Sequence, residues 1–191
     1  PVGGVMVFAK TSKAASRLSE QIRSRTIEKH YLAVVHGTPE PSKGLLKDYL
    51  LKDTKKNIVR IVGAEYNGKD AVNGKDTVNR KDTVNVKEAA LEYLCLENCK
   101  ILENLESNSL TLVRINLITG RPHQIRVQFS SRGYPLWGDS KYGIVNEGGG
   151  EIALWSYKIK LMHPTKKEIM EFKSAPEGSY PWTLFSARNY E

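Results

Sequence analysis

The densest concentration of chemically useful side chains is the octapeptide Thr119-Gly120-Arg121-Pro122-His123-Gln124-Ile125-Arg126. It follows a nearly continuous apolar run at 110–118, and Gly120 and Pro122 mark a turn that opens a helix. A helix N-terminus presents unpaired N–H groups, so with arginines nearby it suits phosphates and carboxylates. Arg126 falls one turn into that helix, beside Ile125. A guanidinium partly buried there requires an anion to compensate its lost hydration. The same residues also fit a solvated basic turn, and spacing alone leaves both readings open.

The elements that must hold this segment follow from periodicity. Its helix is expected over 122–132, with Pro122 at the first position, Ile125 and Phe129 stacked at i and i+4, and Gly133 as terminator. Val5-Met6-Val7-Phe8-Ala9 reads as a buried strand. Thr11 and Ser12 are N-cap candidates for a helix to about Arg25, whose apolar stripe is Ala14, Leu18 and Ile22. Strands are expected at 28–36, 45–51 and 58–62, the last two forming a hairpin around 52–57. Further strands fall at 89–97 and 110–118, and a closing hairpin joins 152–162 to 168–173. Residues 134–143 and 146–150 read as loops. The fold class is therefore α+β, with a mixed, largely antiparallel sheet flanked by helices and loops.

At 191 residues the chain is expected to be a single domain over 1–191. Between 69 and 86 a six-residue unit repeats three times, beginning at Lys69, Lys75 and Lys81. So few apolar residues per copy cannot build a solenoid core, so 66–88 is expected to be an inserted, mobile surface loop. The net charge is +8, and the excess is local. Residues 1–65 carry 12 basic and 6 acidic side chains, and residues 120–144 carry 4 and 1. Two basic blocks in an otherwise balanced chain suggest a polyanion-facing surface, although solubilising lysines give a similar composition.

Several other chemistries find no support. The histidines at 30, 36, 123 and 163 share no metal-ligand spacing with each other or with Cys95 and Cys99, so no metal is expected. Gly148-Gly149-Gly150 lacks the Lys-Ser/Thr of a phosphate loop, and no cofactor is expected. Two cysteines are too few for a disulfide framework, which points to a reducing, cytoplasmic setting. No apolar run approaches the ~18–20 residues of a membrane span, so no membrane partner is expected.

The octapeptide and the later Gly133-Tyr134-Pro135-Leu136-Trp137-Gly138-Asp139-Ser140-Lys141-Tyr142-Gly143 closely resemble the signature of the RluA-type pseudouridine synthases. Two further stretches resemble that family in the same order. Residues 5–10 are similar to the strand after its catalytic loop, and Lys29-His30-Tyr31-Leu32-Ala33-Val34-Val35-His36-Gly37 to its tyrosine-bearing strand. Leu161-Met162-His163-Pro164 and Phe172-Lys173-Ser174-Ala175-Pro176 resemble its closing hairpin. The family's nucleophile is an Asp in a His-Arg-Leu-Asp motif placed just before the segment that residues 1–4 resemble, and that motif is not in this sequence. The chain is accordingly expected to be the later part of such a catalytic domain, truncated at its N-terminus and inactive as it stands.

The resemblance implies a cofactor-independent isomerase that flips a uridine out of ribosomal or transfer RNA, detaches the base from C1′ and rejoins it through C5. It implies that Tyr31 stacks on the flipped uracil and that Arg126 pairs with the catalytic Asp. Arg121, His123 and Gln124 are implied to bind RNA or hold the turn, and Lys10, Lys13, Arg17 and Lys29 to track phosphates. Gly120, Gly138, Asp139, Tyr142 and Gly143 are read as structural, with Asp139 capping nearby backbone N–H groups. The expected partner is RNA and the expected state a monomer. Without the Asp, Arg126 would be a cation lacking its anion. The alternative is a non-catalytic RNA-binding relative.

Overall fold

The computed structural model describes residues 2–64, 66, 86–103, 106–144, 151–186 and 190. Nearly all of the six-residue repeat, and the loop at 146–150, lie outside the described residues. Eight strands make one sheet: β1 (Gly3–Gly4), β2 (Glu28–His36), β3 (Lys43–Asp53), β4 (Ile58–Val62), β5 (Val86–Glu103), β6 (Glu106–Leu117), β7 (Leu154–Met162) and β8 (Ile169–Lys173). Their order is β1-β7-β2-β6-β5-β3-β4, with β8 also paired to β7. Every pairing is antiparallel except β1 with β7, so the α+β class with a largely antiparallel sheet holds. Among the described residues the α-helices are α1 (Ser12–Arg23) and α2 (Gln124–Ser130), and Trp182–Leu184 form a 3-10 turn.

β2 and β6 are apolar on both faces because both faces are covered. On one face Ala33, Val35, Val113 and Ile115 pack with Ile125 and Phe129 of α2 and with Leu136. On the other, Leu32, Val34, Leu110 and Leu112 pack against Trp182, Phe185 and Tyr190 of the C-terminal segment. A bulge between Cys95 and Glu97 reverses the alternation of β5, so Cys95 joins the first cluster and Cys99 the second.

The structure corrects four expectations. Val5-Met6-Val7-Phe8-Ala9 is not a strand: β1 stops at Gly4, and Met6 and Phe8 are 71% and 81% exposed. The edge of β7 beyond Ser156 is already taken by the β8 side, where Ser174 N–H donates to the Tyr157 carbonyl and Lys173 lies opposite Lys158. The α1 stripe is not buried either, and Ile22 is 59% exposed. Polar contacts dock that helix instead. Thr11 caps it, Arg17 donates to the Pro164 carbonyl, and Gln21 exchanges hydrogen bonds with the Met162 backbone. Residues 86–88, assigned to the insert, begin β5. Pro122 is not the first residue of α2, which opens at Gln124 after a left-handed His123. Gly133 does follow α2 with φ +82°.

Phe129 is 1% exposed and sits where α2 meets the sheet. Phe129→Ala is expected to cost ~3–5 kcal/mol by transfer and cavity terms, read as a lower urea midpoint at unchanged slope.

Candidate active site

The turn between β6 and α2 is built from one buried amide. Gln124 Oε1 accepts from the Thr119 hydroxyl at 2.7 Å and from the Arg121 N–H at 3.0 Å, while its Nε2 donates to the Ala90 carbonyl at 3.0 Å. Thr119 Oγ1 in turn accepts from the Ala90 N–H at 2.9 Å. Both side chains are buried, so every polar atom must find its partner inside the protein. Gln124, expected to bind RNA or hold the turn, ties the turn to β5. The same network holds His123 at φ 52°, ψ 17°, a conformation that a residue with a Cβ adopts only at a cost.

That backbone reversal sends the His123 ring towards Tyr142. His123 Nδ1 lies 2.8 Å from the Tyr142 hydroxyl, which also accepts from the Val59 N–H at 2.7 Å. Burial, with Arg126, Lys141 and Lys52 adding to it and Asp139 opposing, pushes the His123 pKa down. The Tyr142 hydroxyl thus links the His123 ring to the β4 backbone.

Arg126 is not the unpaired cation expected. Its Nε donates to Asp139 Oδ2 at 2.8 Å and its Nη2 to Asp139 Oδ1, and its guanidinium lies 5.1 Å from the centre of the Tyr142 ring. The Asp139 side chain is fully buried and that of Arg126 is 20% exposed. Asp139 Oδ1 also accepts from the Lys141 and Tyr142 N–H groups, at 2.9 and 3.0 Å. Burial pushes the Asp139 carboxyl up, but the Arg126 and backbone hydrogen bonds outweigh it and hold the pKa below the usual carboxylate value. The loop closes at Gly143, whose N–H donates to the Asp139 carbonyl at 2.8 Å; a Cβ there would sit 2.1 Å from that oxygen, so only glycine fits. Gly138 opens the same loop at φ +70°.

Tyr31 occupies β2 on the face that carries α2, packed against the same cluster as Ala33 and Val35. Burial raises its phenol pKa, and a hydrogen bond with Ser156 works the other way. Ser156 lies opposite Tyr31 across a β2–β7 bulge and exchanges hydrogen bonds with the Val5 backbone at 2.9 and 3.0 Å. The N-terminal segment is therefore one strand away from Tyr31. Lys29 is half-buried beside the turn, with its Nζ 3.7 Å from where a Gly120 Cβ would stand. Arg121 is half-buried and donates from Nε to the Glu88 carbonyl, while Lys10, Lys13 and Arg17 are exposed near α1, apart from this cluster.

Residues 1–131 match the RNA pseudouridylate synthase family model, more than half of the sequence. The chain belongs to that family. It is 34% identical to an uncharacterized RNA pseudouridine synthase of Aquifex aeolicus (strain VF5), covering 94% of this chain and 52% of the relative. It is 30% identical to the ribosomal large subunit pseudouridine synthase C of Vibrio parahaemolyticus (serotype O3:K6, strain RIMD 2210633), covering 97% of this chain and 52% of the relative. The chain thus spans about half the length of the curated relatives it matches. The solved human RNA pseudouridylate synthase domain containing 1 shares the fold at a TM-score of 0.65 and 21% identity, covering 88% of this chain and 62% of that one.

One further polar clamp on α2 lies outside any sequence motif. Asp48 of β3 binds Arg132 through both carboxylate oxygens, at 3.0 and 3.1 Å, and accepts from Gln128 Nε2 at 2.6 Å. This clamp fixes the far end of α2, and because it joins positions 80 and 84 residues apart, local spacing gives no sign of it. Removing Arg126 would leave Asp139 buried and unpaired. Arg126→Met is expected to cost ~3–5 kcal/mol. Because the Asp139 pKa is depressed when folded, its contribution is present above the ordinary value near 3.8 and lost as pH falls through the folded value. In Arg126→Met burial prevails and the pKa rises, so near-ultraviolet circular dichroism should show acid unfolding beginning at higher pH.

Proposed function

We propose that this chain carries the uridine pocket of an RNA pseudouridine synthase acting on ribosomal or transfer RNA in the cytoplasm. The observation that carries this reading is the contact among Tyr31, Ser156 and Val5, because it brings the segment resembling the one after the family's catalytic loop beside the tyrosine implied to stack on the base. Stacking on an aromatic ring contributes ~1–3 kcal/mol per base and helps offset the cost of flipping. Arg126 uses Nε and one Nη2 hydrogen on Asp139, so its Nη1 edge remains to meet a carboxylate or a phosphate. Arg121, His123 and Lys29 edge the groove where RNA would lie.

The chemistry needs an aspartate carboxylate at the sugar, and the described aspartates are engaged elsewhere. Asp48 holds Arg132 and Gln128, Asp53 caps the N–H groups of Lys55 and Lys56, and Asp139 is buried under Arg126. The chain by itself is therefore proposed to leave uridine unchanged. That same engagement favours the second reading, an RNA-binding relative without catalysis.

Tritium release from RNA containing 5-tritiated uridine separates the two. The 191-residue chain is expected to release none, and release would overturn this account. A version extended ahead of Pro1 by a His-Arg-Leu-Asp segment and a short linker is expected to release tritium, and Tyr31→Ala in that version should reduce the rate by about fivefold to roughly 150-fold, as loss of ~1–3 kcal/mol of stacking implies. RNA binding without release in the extended form would leave the non-catalytic reading standing.

A further inference from the structure

The sheet face opposite Tyr31 carries a line of polar side chains that the reading above does not use. Strand register places Glu92, Asn116, His30, Lys158 and Lys173 side by side across β5, β6, β2, β7 and β8. One row away, Lys43, Leu94, Arg114 and Leu32 face one another in the same manner. Side chains directly opposite in a ladder share a face, so these rows form one surface. All of them but the buried Leu32 line a cavity of about 530 Å³, together with Tyr157 and Tyr190.

The charge on this surface is not balanced. Glu171 lies 3.7 Å from Lys158 and 3.6 Å from Lys173. Glu92 accepts from Asn116 Nδ2 at 2.9 Å and lies a row away from Arg114. Among the described residues, no carboxylate forms an ion pair with Arg114 or Lys43. Arg114 is half-buried between Leu94 and Leu32, where a guanidinium loses hydration that only an anion restores. His30 feels the excess: burial, Lys158 and Arg114 push its pKa down against Glu28.

We propose that this cavity is a second anion site, on the face away from the uridine pocket, in which Arg114 and Lys158 hold a phosphate group with Lys43 at its rim. Arg114 supplies the planar fork that fits two phosphate oxygens, and the lysines act as point charges. The phosphate comes either from the backbone of the bound RNA or from a free phosphoanion. Only the first source rests on the proposed RNA-binding function.

Two measurements on the full chain test this. In the first, inorganic phosphate is titrated into ¹⁵N-labelled protein against sodium chloride of equal ionic strength. Saturable shifts at the amides around His30, Arg114 and Lys158, absent with chloride and abolished in Arg114→Gln, are expected; their absence overturns the site. In the second, the affinity of a fluorescent RNA hairpin is followed against salt. Lys43→Gln with Lys158→Gln, both away from the core, and Arg114→Gln should each weaken binding roughly tenfold and lower the salt slope by about one, because one phosphate fewer is neutralised. Tyr31→Ala should leave that slope unchanged. Phosphate shifts without any change in RNA affinity support the site and assign it to a free phosphoanion. A chain that binds no RNA at all counts against the proposed function, and the phosphate titration still decides this site.

Discussion

Asp139 is a fully buried carboxylate, and such a group is tolerated only when its charge and lone pairs are met. Arg126 meets the charge from α2, and two N–H groups of its own loop meet the remaining lone pairs. The pair therefore fixes the distance between helix and loop. Tyr142, carried by the same loop, then falls against the Arg126 guanidinium and the His123 ring and reaches the Val59 N–H of β4. One ion pair thus joins α2, the 138–143 loop and the sheet edge at β4.

A second constraint comes from the sheet. Tyr31 lies beside a bulge and opposite Ser156, at the one place where β7 takes a parallel partner. Gly4 adopts φ +111° there, and a Cβ at that position would stand 2.3 Å from the Ser156 carbonyl oxygen. Close approach of β1 is thus what delivers the chain entering the sheet to the tyrosine. The site is assembled from both directions, with the Gln124 network fixing α2 and the β7 edge fixing the N-terminal segment.

Much of this was legible in the sequence. Strands β2 to β8 and the buried pair Ile125 and Phe129 follow from apolar periodicity, because the burial that drives periodicity is local to each element. The turn at Thr119 and Gly120 is likewise local. What escaped depends on distant partners. Val5–Ala9 has the composition of a strand, yet β8 occupies the edge it would need. Ala14, Leu18 and Ile22 form a helical stripe that finds no core. That Gln124 could hold the turn was implied, but its partner Ala90, 34 positions earlier, was not. Arg126 needed an anion, as its place beside Ile125 implied, but the anion is Asp139, thirteen residues on.

The bulge in β5 has a consequence for sulfur chemistry. Cys95 and Cys99 are the two cysteines of the chain, and a four-residue separation in regular strand would put their side chains on one face. The extra residue turns them to opposite faces of the sheet, and because they face Val113 and Leu110, three residues apart, at ~3.3 Å per residue their Cα atoms stand roughly 10 Å apart. A disulfide tolerates no more than about 7 Å. Burial also raises the Cys95 thiol pKa, which lowers its thiolate content. An oxidant acting on the folded chain can therefore modify each sulfur singly but cannot close a bridge between them, so any covalent dimer or mixed disulfide must come from a partner thiol outside the fold.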